Sequence, residues 1–231
     1  YYFSVFGVAV DIGALPMTEI MIALSLAAMF VGSFIAVFEK NIKRLLAYSS
    51  IAQIGYITLG IGIANQAGLT GGLVHVVNHA LMKAALFLAV GAIFYRARTV
   101  LLTDLAGIGR KMPLTMTAFA IAGFGLIGAP GTAGFISKWY LAVGALDKGW
   151  WSLVFLIMGS SFIALIYVGR ILEVTLLRQP GPELAAATDP PLAMLLPLAV
   201  LAGATVYFGF DTEWTAGIAG KAATALIGGL R

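Results

Sequence analysis

Long apolar stretches separated by short polar ones dominate this chain and predict its architecture. A helix needs about 20 apolar residues to cross a bilayer. Six stretches reach that length: residues 18–38, 45–64, 71–95, 113–146, 150–172 and 191–210. The pattern therefore predicts an all-α polytopic membrane protein with about six full transmembrane helices. Residues 1–12 are apolar but too short to span, so we interpret them as the end of a truncated transmembrane helix.

The fourth stretch is too long for one straight span. Its roughly 34 residues would form a helix of about 50 Å, whereas the hydrocarbon core is about 30 Å thick. Pro130 removes a backbone donor, and Gly128 and Gly131 tolerate unusual dihedral angles. We therefore predict one span over about 113–146 that is broken near 128–134 into two half-helices.

Composition agrees with a membrane protein and excludes several other classes. The chain is 61% hydrophobic and 10% charged, whereas soluble domains carry about 25% charged residues. The absence of cysteine excludes disulfides and thiolate metal sites. A net charge of +4 is too small and scattered for a nucleic-acid-binding surface. Nucleotide, hydrolase and dinucleotide motifs are also missing, so we expect no enzyme active site, no cofactor and no nucleic-acid partner.

The basic residues predict the orientation. If the spans alternate in direction, three basic residues fall on one side, at Lys148, Lys221 and Arg231. The other side holds nine: Lys40, Lys43, Arg44, Arg96, Arg98, Arg110, Lys111, Arg170 and Arg178. Because basic loops stay in the cytoplasm, we assign the second side to it. The Ala/Gly-rich tail at 212–230 is too weakly apolar to span, and we expect it at the outer membrane interface.

Lys138 is the most costly residue in the apolar part of the chain. It follows the Gly128–Gly131 break inside the fourth stretch, and a lysine at membrane depth costs roughly 2.5–3.5 kcal/mol on insertion scales. Transporters place ion and proton sites at such interrupted helices. We therefore expect Lys138 to handle protons or ions. A structural lysine that caps the end of a half-helix is the alternative, and one lysine can do both.

Three titratable residues share one face of the third predicted helix. His75, His79 and Lys83 are spaced four residues apart, so their side chains stack along the helix. Histidine changes charge near neutral pH, and a lysine away from water can release its proton. The pattern predicts a proton relay. Polar packing between helices and a lysine that reaches the interface are the alternatives. A metal site is disfavoured, because a third ligand is missing.

The second predicted helix carries a weaker polar pattern. Lys43 and Arg44 lie at the membrane boundary and are typical of anchors. A polar stripe follows, formed by Ser49, Ser50, Gln53 and Tyr56. Such a stripe is more typical of helix–helix packing than of transport, and a water-lined proton entry is the alternative. We expect the acidic residues near the interfaces to pair locally: Asp11, Glu39, Asp104 and Glu173.

Three sequence blocks together resemble a known family. Residues 43–56 (KRLLAYSSIAQIGY), 75–88 (HVVNHALMKAALFL) and 133–138 (AGFISK) look like the signatures of the proton-conducting antiporter-like subunits. Respiratory complex I and the multisubunit Mrp sodium/proton antiporters share these subunits. The resemblance covers residues 17–172. Over 78–83, 110–116 and 134–140 the chain is most similar to the D-type subunits of Mrp antiporters.

The resemblance implies a fold and a domain division. Family members have fourteen core helices with two inverted five-helix repeats. Residues 17–175 would be the second repeat, with its broken helix at 113–146. Residues 190–231 would be the final transmembrane helix and an extracytoplasmic tail. The first repeat, with its own glutamate and broken-helix lysine, would lie outside this sequence.

The resemblance also implies a function. We expect a secondary transporter subunit, not an enzyme, that exchanges protons for sodium in a multisubunit complex of the bacterial inner membrane. Lys138 would exchange protons, and Lys83, His79 and His75 would carry them. Its partners would be other membrane subunits, protons, sodium ions and the bilayer. The alternatives are a proton-pumping subunit of complex I or a related redox-driven complex, and a membrane scaffold without transport.

Overall fold

The computed structural model describes residues 17–184 and 186–228, and these residues are almost entirely helical. The predicted partial helix at 1–12 lies outside them. Within the described residues eight α-helices follow one another: α1 Met17–Phe38, α2 Ile42–Ile63, α3 Gln66–Ala97, α4 Pro113–Ile127, α5 Ala133–Asp147, α6 Trp151–Leu172, α7 Leu192–Phe210 and α8 Ile218–Gly228. Short 3-10 helices occupy Leu102–Leu105, Ile108–Arg110 and Pro182–Leu184. Single π-helical turns occupy Glu173–Leu177 and Glu213–Gly217.

The all-α membrane architecture is confirmed. Within the described residues, five helices are long and apolar enough to cross a membrane, namely α1, α2, α3, α6 with its π turn, and α7. The fourth predicted stretch forms α4 and α5, each of 15 residues. The third is longer than the predicted 71–95, because α3 begins at an Asn65 side chain that accepts from the Gly68 amide.

The break in the fourth stretch lies at residues 128–132, inside the predicted 128–134. Gly128 ends α4 with φ 87° and ψ 41°, a left-handed conformation that suits glycine. Its amide donates to the carbonyls of Phe124 and Gly125, both at 3.0 Å. Helix α5 starts after Thr132. The local sequence thus produces two half-helices whose ends lie inside the bundle.

Close backbone contacts hold the helices of the site together. A Cβ atom on Gly134, in the first turn of α5, would lie 1.9 Å from the Gly125 carbonyl oxygen of α4. A Cβ on Gly60 of α2 would lie 2.6 Å from the Cα of Gly72 in α3. Small residues allow this approach in membrane helices. The half-helices and the α2–α3 pair are therefore packed backbone to backbone.

One end of the bundle gathers the basic loops, and we call it the basic end. It holds the C-termini of α1, α3 and α6 and the N-termini of α2, α4 and α7. An isolated β-bridge there joins Asn41 to Leu101, and Arg170 donates to the carbonyls of Val37 and Glu39. The nine basic residues expected on one side therefore lie together.

The acidic residues at this end pair locally, as expected. Glu39 forms an ion pair with Arg44 at 3.2 Å, and Glu173 one with Arg178 at 3.0 Å. The backbone amide of Asn41 is the main reason that the pKa of the Glu39 carboxyl lies below its ordinary value. Asp104 accepts from Thr99 and Thr103 instead. Asp11 lies outside the described residues.

The expected interfacial tail contains a helix that the sequence pattern did not predict. Helix α8 follows a π turn and lies against α3, where Ala216 and Ala219 cluster with Val74. Gln66 Nε2 donates to Thr224 Oγ1 at 2.9 Å. The final segment is therefore attached to the same helix that carries His75, His79 and Lys83.

Candidate functional site

Lys138 lies in the second turn of α5 and is buried in the bundle. Its Nζ donates to the carbonyls of Leu126, at 3.1 Å, and Ile127, at 2.8 Å. These are the last two residues of α4, whose carbonyls the break leaves without helical partners. A third hydrogen bond, of 2.9 Å, reaches Ser161 Oγ of α6. Lys138 therefore caps the C-terminus of α4, which was the structural alternative to proton handling.

An aromatic ring completes the surroundings of this amine. Lys138 Nζ lies 4.6 Å from the centroid of the Tyr56 ring, within the range of a cation–π interaction. The Tyr56 hydroxyl donates to the Ile157 carbonyl at 3.3 Å and lies 3.4 Å from Ser161 Oγ. Tyr56 belongs to the polar stripe for which helix packing was the favoured interpretation. The structure places it in contact with the lysine.

His75 is fully buried beside the start of α5. Its Nδ1 lies 2.7 Å from Ser137 Oγ, and its Nε2 lies 3.0 Å from Gln53 Oε1. Because Gln53 Oε1 can only accept, Nε2 carries the proton in the neutral ring and Nδ1 accepts from Ser137. The Ser137 hydroxyl has a second acceptor, the Gly134 carbonyl at 3.1 Å. Ser137 can therefore serve either protonation state of His75.

His79 lies one turn further along α3 and is only partly buried. Its ring is nearly parallel to that of His75, with centroids 6.3 Å apart and an interplanar angle of 5°. Its Nε2 is buried and has no hydrogen-bond partner among the described residues. Asn78, next to it, donates to the Ala133 carbonyl at 2.6 Å and leaves its own oxygen without a partner there.

Lys83 is buried between α3 and the first half of α2. Its Nζ donates to the Leu46 carbonyl at 2.8 Å and to Ser49 Oγ. The interfacial alternative predicted an amine that extends to the membrane surface. The structure instead holds it inside the bundle, with the residue 6% exposed. Ser49, like Tyr56, is a stripe residue that turns out to contact a lysine.

The two amines share one chemical feature. Within residues 17–184 and 186–228, neither Lys138 nor Lys83 forms an ion pair, and their hydrogen-bond acceptors are carbonyls and serine hydroxyls. Dipoles alone thus balance their charge, and a proton can leave without separating an ion pair. No cluster of three or more metal-ligating residues occurs in this part of the chain.

The structure brings the predicted residues into one region without joining them all directly. His75 is next to the Lys138 site through Ser137, and Lys83 lies eight residues further along α3, a rise of about 12 Å. Direct hydrogen bonds between His75, His79 and Lys83 are absent from the described contacts. The sequence pattern did not predict Ser137 and Ser161 as partners. Gln53, Ser49 and Tyr56 did carry a sequence signal, as polar residues of the α2 stripe.

Known proteins share the sequence region that contains this site. A family model described as "NADH:quinone oxidoreductase/Mrp antiporter, TM" matches residues 3–164. The NADH-quinone oxidoreductase subunit N of Desulforudis audaxviator is 37% identical over 210 residues, which cover 86% of this chain and 42% of that subunit.

Two solved assemblies contain chains of the same fold. In the Mrp complex from Dietzia sp. DQ12-45-1b, a chain superposes with a TM-score of 0.86 at 26% identity, covering 92% of this chain and 48% of its own. A chain of the archaeal membrane-bound sulfane sulfur reductase, a respiratory membrane complex, gives a TM-score of 0.83 at 31% identity, covering 90% and 35%.

The matches cover most of this chain but only part of each relative. This chain spans about half the length, or less, of the relatives and chains it matches. The matched residues include α1 to α5 and most of α6, and so contain Lys138, Lys83, His75 and His79. The chain belongs to the membrane subunit family shared by NADH:quinone oxidoreductases and Mrp antiporters.

Proposed function

We propose that this chain is the second half of a proton-translocating membrane subunit, in which protons move between Lys138 and Lys83 through His75 and His79. The observation that carries this proposal is the pair of buried amines held only by neutral acceptors. A cation at membrane depth is costly. A structural role alone would be served more cheaply by an apolar residue or an amide.

The geometry around His75 supports a stepwise transfer. In the neutral ring Nδ1 accepts from Ser137. When Nδ1 takes up a proton, the Ser137 hydroxyl turns to the Gly134 carbonyl, at 3.1 Å, and its oxygen then accepts from Nδ1. The Nε2 proton, which Gln53 Oε1 accepts, would then leave through water to His79. The Gln53 amide would turn its NH2 group toward the bare Nε2, and the ring would return to a neutral form. Water molecules would complete the steps to His79 and Lys83, as they bridge other buried polar groups.

The relatives favour a redox-driven complex over sodium exchange as the setting. The subunit N relative, at 37% identity, belongs to an NADH-quinone oxidoreductase, and the 31% identical chain belongs to a respiratory complex. The chain would then be a translocase component of an oxidoreductase and carry no redox cofactor itself. Sodium/proton exchange in an Mrp-type complex is the second candidate, favoured by the TM-score of 0.86 to the Mrp chain.

The domain and membrane assignments follow from the same proposal. Residues 17–175 would form the second inverted five-helix repeat, and a first repeat would supply the other half of the proton route. The nine clustered basic residues would place the basic end in the cytoplasm. The tail that contains α8 would then be extracytoplasmic, in the cell membrane of a bacterium, beside other membrane subunits.

The experiment that separates the two candidates isolates the full-length protein with its native complex. We expect flavin and iron–sulfur subunits to copurify, quinone to be reduced, and proton uptake into vesicles to follow electron transfer. Copurification with small hydrophobic antiporter subunits, together with sodium-dependent proton flux, would establish the second candidate. Wild-type proton translocation in both Lys138→Ala and Lys83→Ala complexes would contradict both.

A further inference from the structure

Two buried hydroxyls on α6 have no role in the relay described above. Ser160 and Tyr167 are 1% and 0% exposed, and neither hydroxyl oxygen has a hydrogen-bond partner among the described residues. Buried hydroxyls are ordinarily paired, with protein or with water. Two unpaired ones on one helix point to a polar passage that water completes.

The two hydroxyls lie on the same face of α6. They are seven residues apart, which is two helical turns and a rise of about 10.5 Å. Long helical side chains lean toward the helix N-terminus, so the Tyr167 ring leans toward Ser160. The long side chain of Tyr56 reaches α6 from α2, where Tyr56 and Ser49 are also seven residues apart and buried.

Because α2 begins and α6 ends at the basic end, Tyr56 and Ser49 of α2 lie near opposite ends of this face of α6. At one end, the Tyr56 hydroxyl approaches Ser160 and lies 3.4 Å from Ser161 Oγ, to which Lys138 donates at 2.9 Å. At the other end, the Tyr167 hydroxyl approaches Ser49, to which Lys83 donates. Among the described residues none of the steps Tyr56–Ser160, Ser160–Tyr167 and Tyr167–Ser49 is a direct hydrogen bond, and the step from Ser160 to Tyr167 covers two helical turns.

We propose that these hydroxyls form a second proton route between Lys138 and Lys83, parallel to the route through His75 and His79. Its members, in order, are Ser161, Tyr56, Ser160, Tyr167 and Ser49. Two or three water molecules, spaced at about 2.8 Å, bridge the gap between Ser160 and Tyr167, and single waters complete the shorter steps from Tyr56 to Ser160 and from Tyr167 to Ser49. Each hydroxyl passes a proton by accepting one and donating another, so none carries a lasting charge. The inference rests on the proposed proton transfer between the two lysines.

The test compares Tyr167→Phe with Tyr207→Phe in the full-length subunit within its complex. Tyr167→Phe removes the buried hydroxyl and keeps the ring, so packing is preserved. The Tyr207 hydroxyl donates to the Asp211 carboxylate at an exposed position away from both lysines, which makes it the matched control. We expect Tyr167→Phe to lower proton translocation about two- to fivefold, with unchanged abundance in the membrane, and Tyr207→Phe to have no effect.

A second background separates a parallel route from a packing effect. We expect His75→Asn to leave a residual flux, and the double variant His75→Asn with Tyr167→Phe to reduce that residual flux by about tenfold or more. Ser160→Ala should act in the same direction as Tyr167→Phe. An undiminished residual flux in the double variant would overturn the proposal, and so would complete loss of flux in His75→Asn alone.

Lysine variants measured in the same preparations keep the two proposals distinguishable. If Lys138→Ala and Lys83→Ala abolish translocation while Tyr167→Phe does not change it in either background, only the hydroxyl route is wrong. If the lysine variants retain full translocation, the proposed function itself is wrong.

Discussion

The surroundings of Lys138 and Lys83 differ in how they accommodate a buried amine. Lys138 caps a helix that ends inside the bundle, so two carbonyls freed by the break accept from it, together with Ser161 and the Tyr56 ring. Lys83 lies beside continuous helices. Its amine donates to the Leu46 carbonyl, which also accepts a hydrogen bond within α2, and to the Ser49 hydroxyl.

This difference separates two ways of supporting charge at membrane depth. The C-terminus of α4 carries a partial negative charge that favours a cation, so the Lys138 site is built into the backbone. The Lys83 site depends more on a single side chain, Ser49. We infer that Lys83 is the more vulnerable of the two to changes in its neighbours, and the following predictions test that inference.

The largest effect is expected from arginine at the two lysine positions. Arginine keeps the positive charge and can cap a helix, but it does not release its proton. We expect Lys138→Arg and Lys83→Arg each to lower proton translocation about tenfold or more in reconstituted vesicles, and Lys138→Ala to abolish it. Lys148→Arg is the control, since that amine lies over the Trp150 ring at 4.8 Å, away from the site. Wild-type flux in the arginine variants would show that both lysines act only as structural cations.

A smaller effect is expected from the two serines, and its asymmetry tests the comparison directly. A hydrogen bond to a charged group is worth about 1.5–3 kcal/mol. Ser49→Ala leaves Lys83 with one acceptor, so we expect translocation to fall about tenfold. Ser161→Ala leaves Lys138 with two carbonyls and the Tyr56 ring, so about two- to threefold is expected. Ser152→Ala is the control, because Ser152 is exposed in the first turn of α6. Equal losses at the two serines would contradict the comparison.

The smallest effect on transport is expected at the other end of α4. The Asp189 carboxylate accepts from the amides of Leu114 and Thr115, at 3.2 and 3.0 Å, and so caps the N-terminus of α4. We expect Asp189→Ala to lower the free energy of unfolding by about 1–2 kcal/mol, seen as a lower Tm in detergent, with translocation retained. Glu183 is exposed, so Glu183→Ala is the control and should leave both Tm and translocation unchanged. Loss of translocation without loss of stability would show that α4 capping and proton transfer are not separable.

Local sequence predicted the elements because local chemistry produces them. Gly128, Pro130 and Gly131 lie within four residues of one another and together disfavour a continuous helix, so the break and the lysine after it could be located without a structure. Apolar length predicted the spans for the same reason. The weakly apolar tail was the exception, since α8 exists through its contact with α3.

The partners of the buried residues could not be predicted in the same way. Ser137 meets His75 across 62 residues, and Tyr56 meets Ser161 across 105. Such pairs depend on which helix faces meet. A polar stripe has the same sequence pattern whether it packs against another helix or lines a proton route. The capping alternative implied that the last carbonyls of the first half-helix would accept from Lys138, but that these are the carbonyls of Leu126 and Ile127 depends on the geometry of the break.

The contact between Gly134 and Gly125 limits how this site can move. Because the first turn of α5 lies directly against the last turn of α4, we expect the interruption to hold the two half-helices at a fixed angle and not to act as a hinge. Swinging one half-helix away from the other would open this tight backbone contact and strip Lys138 of its carbonyls. We therefore expect the two half-helices to keep their relative positions while access to that lysine changes.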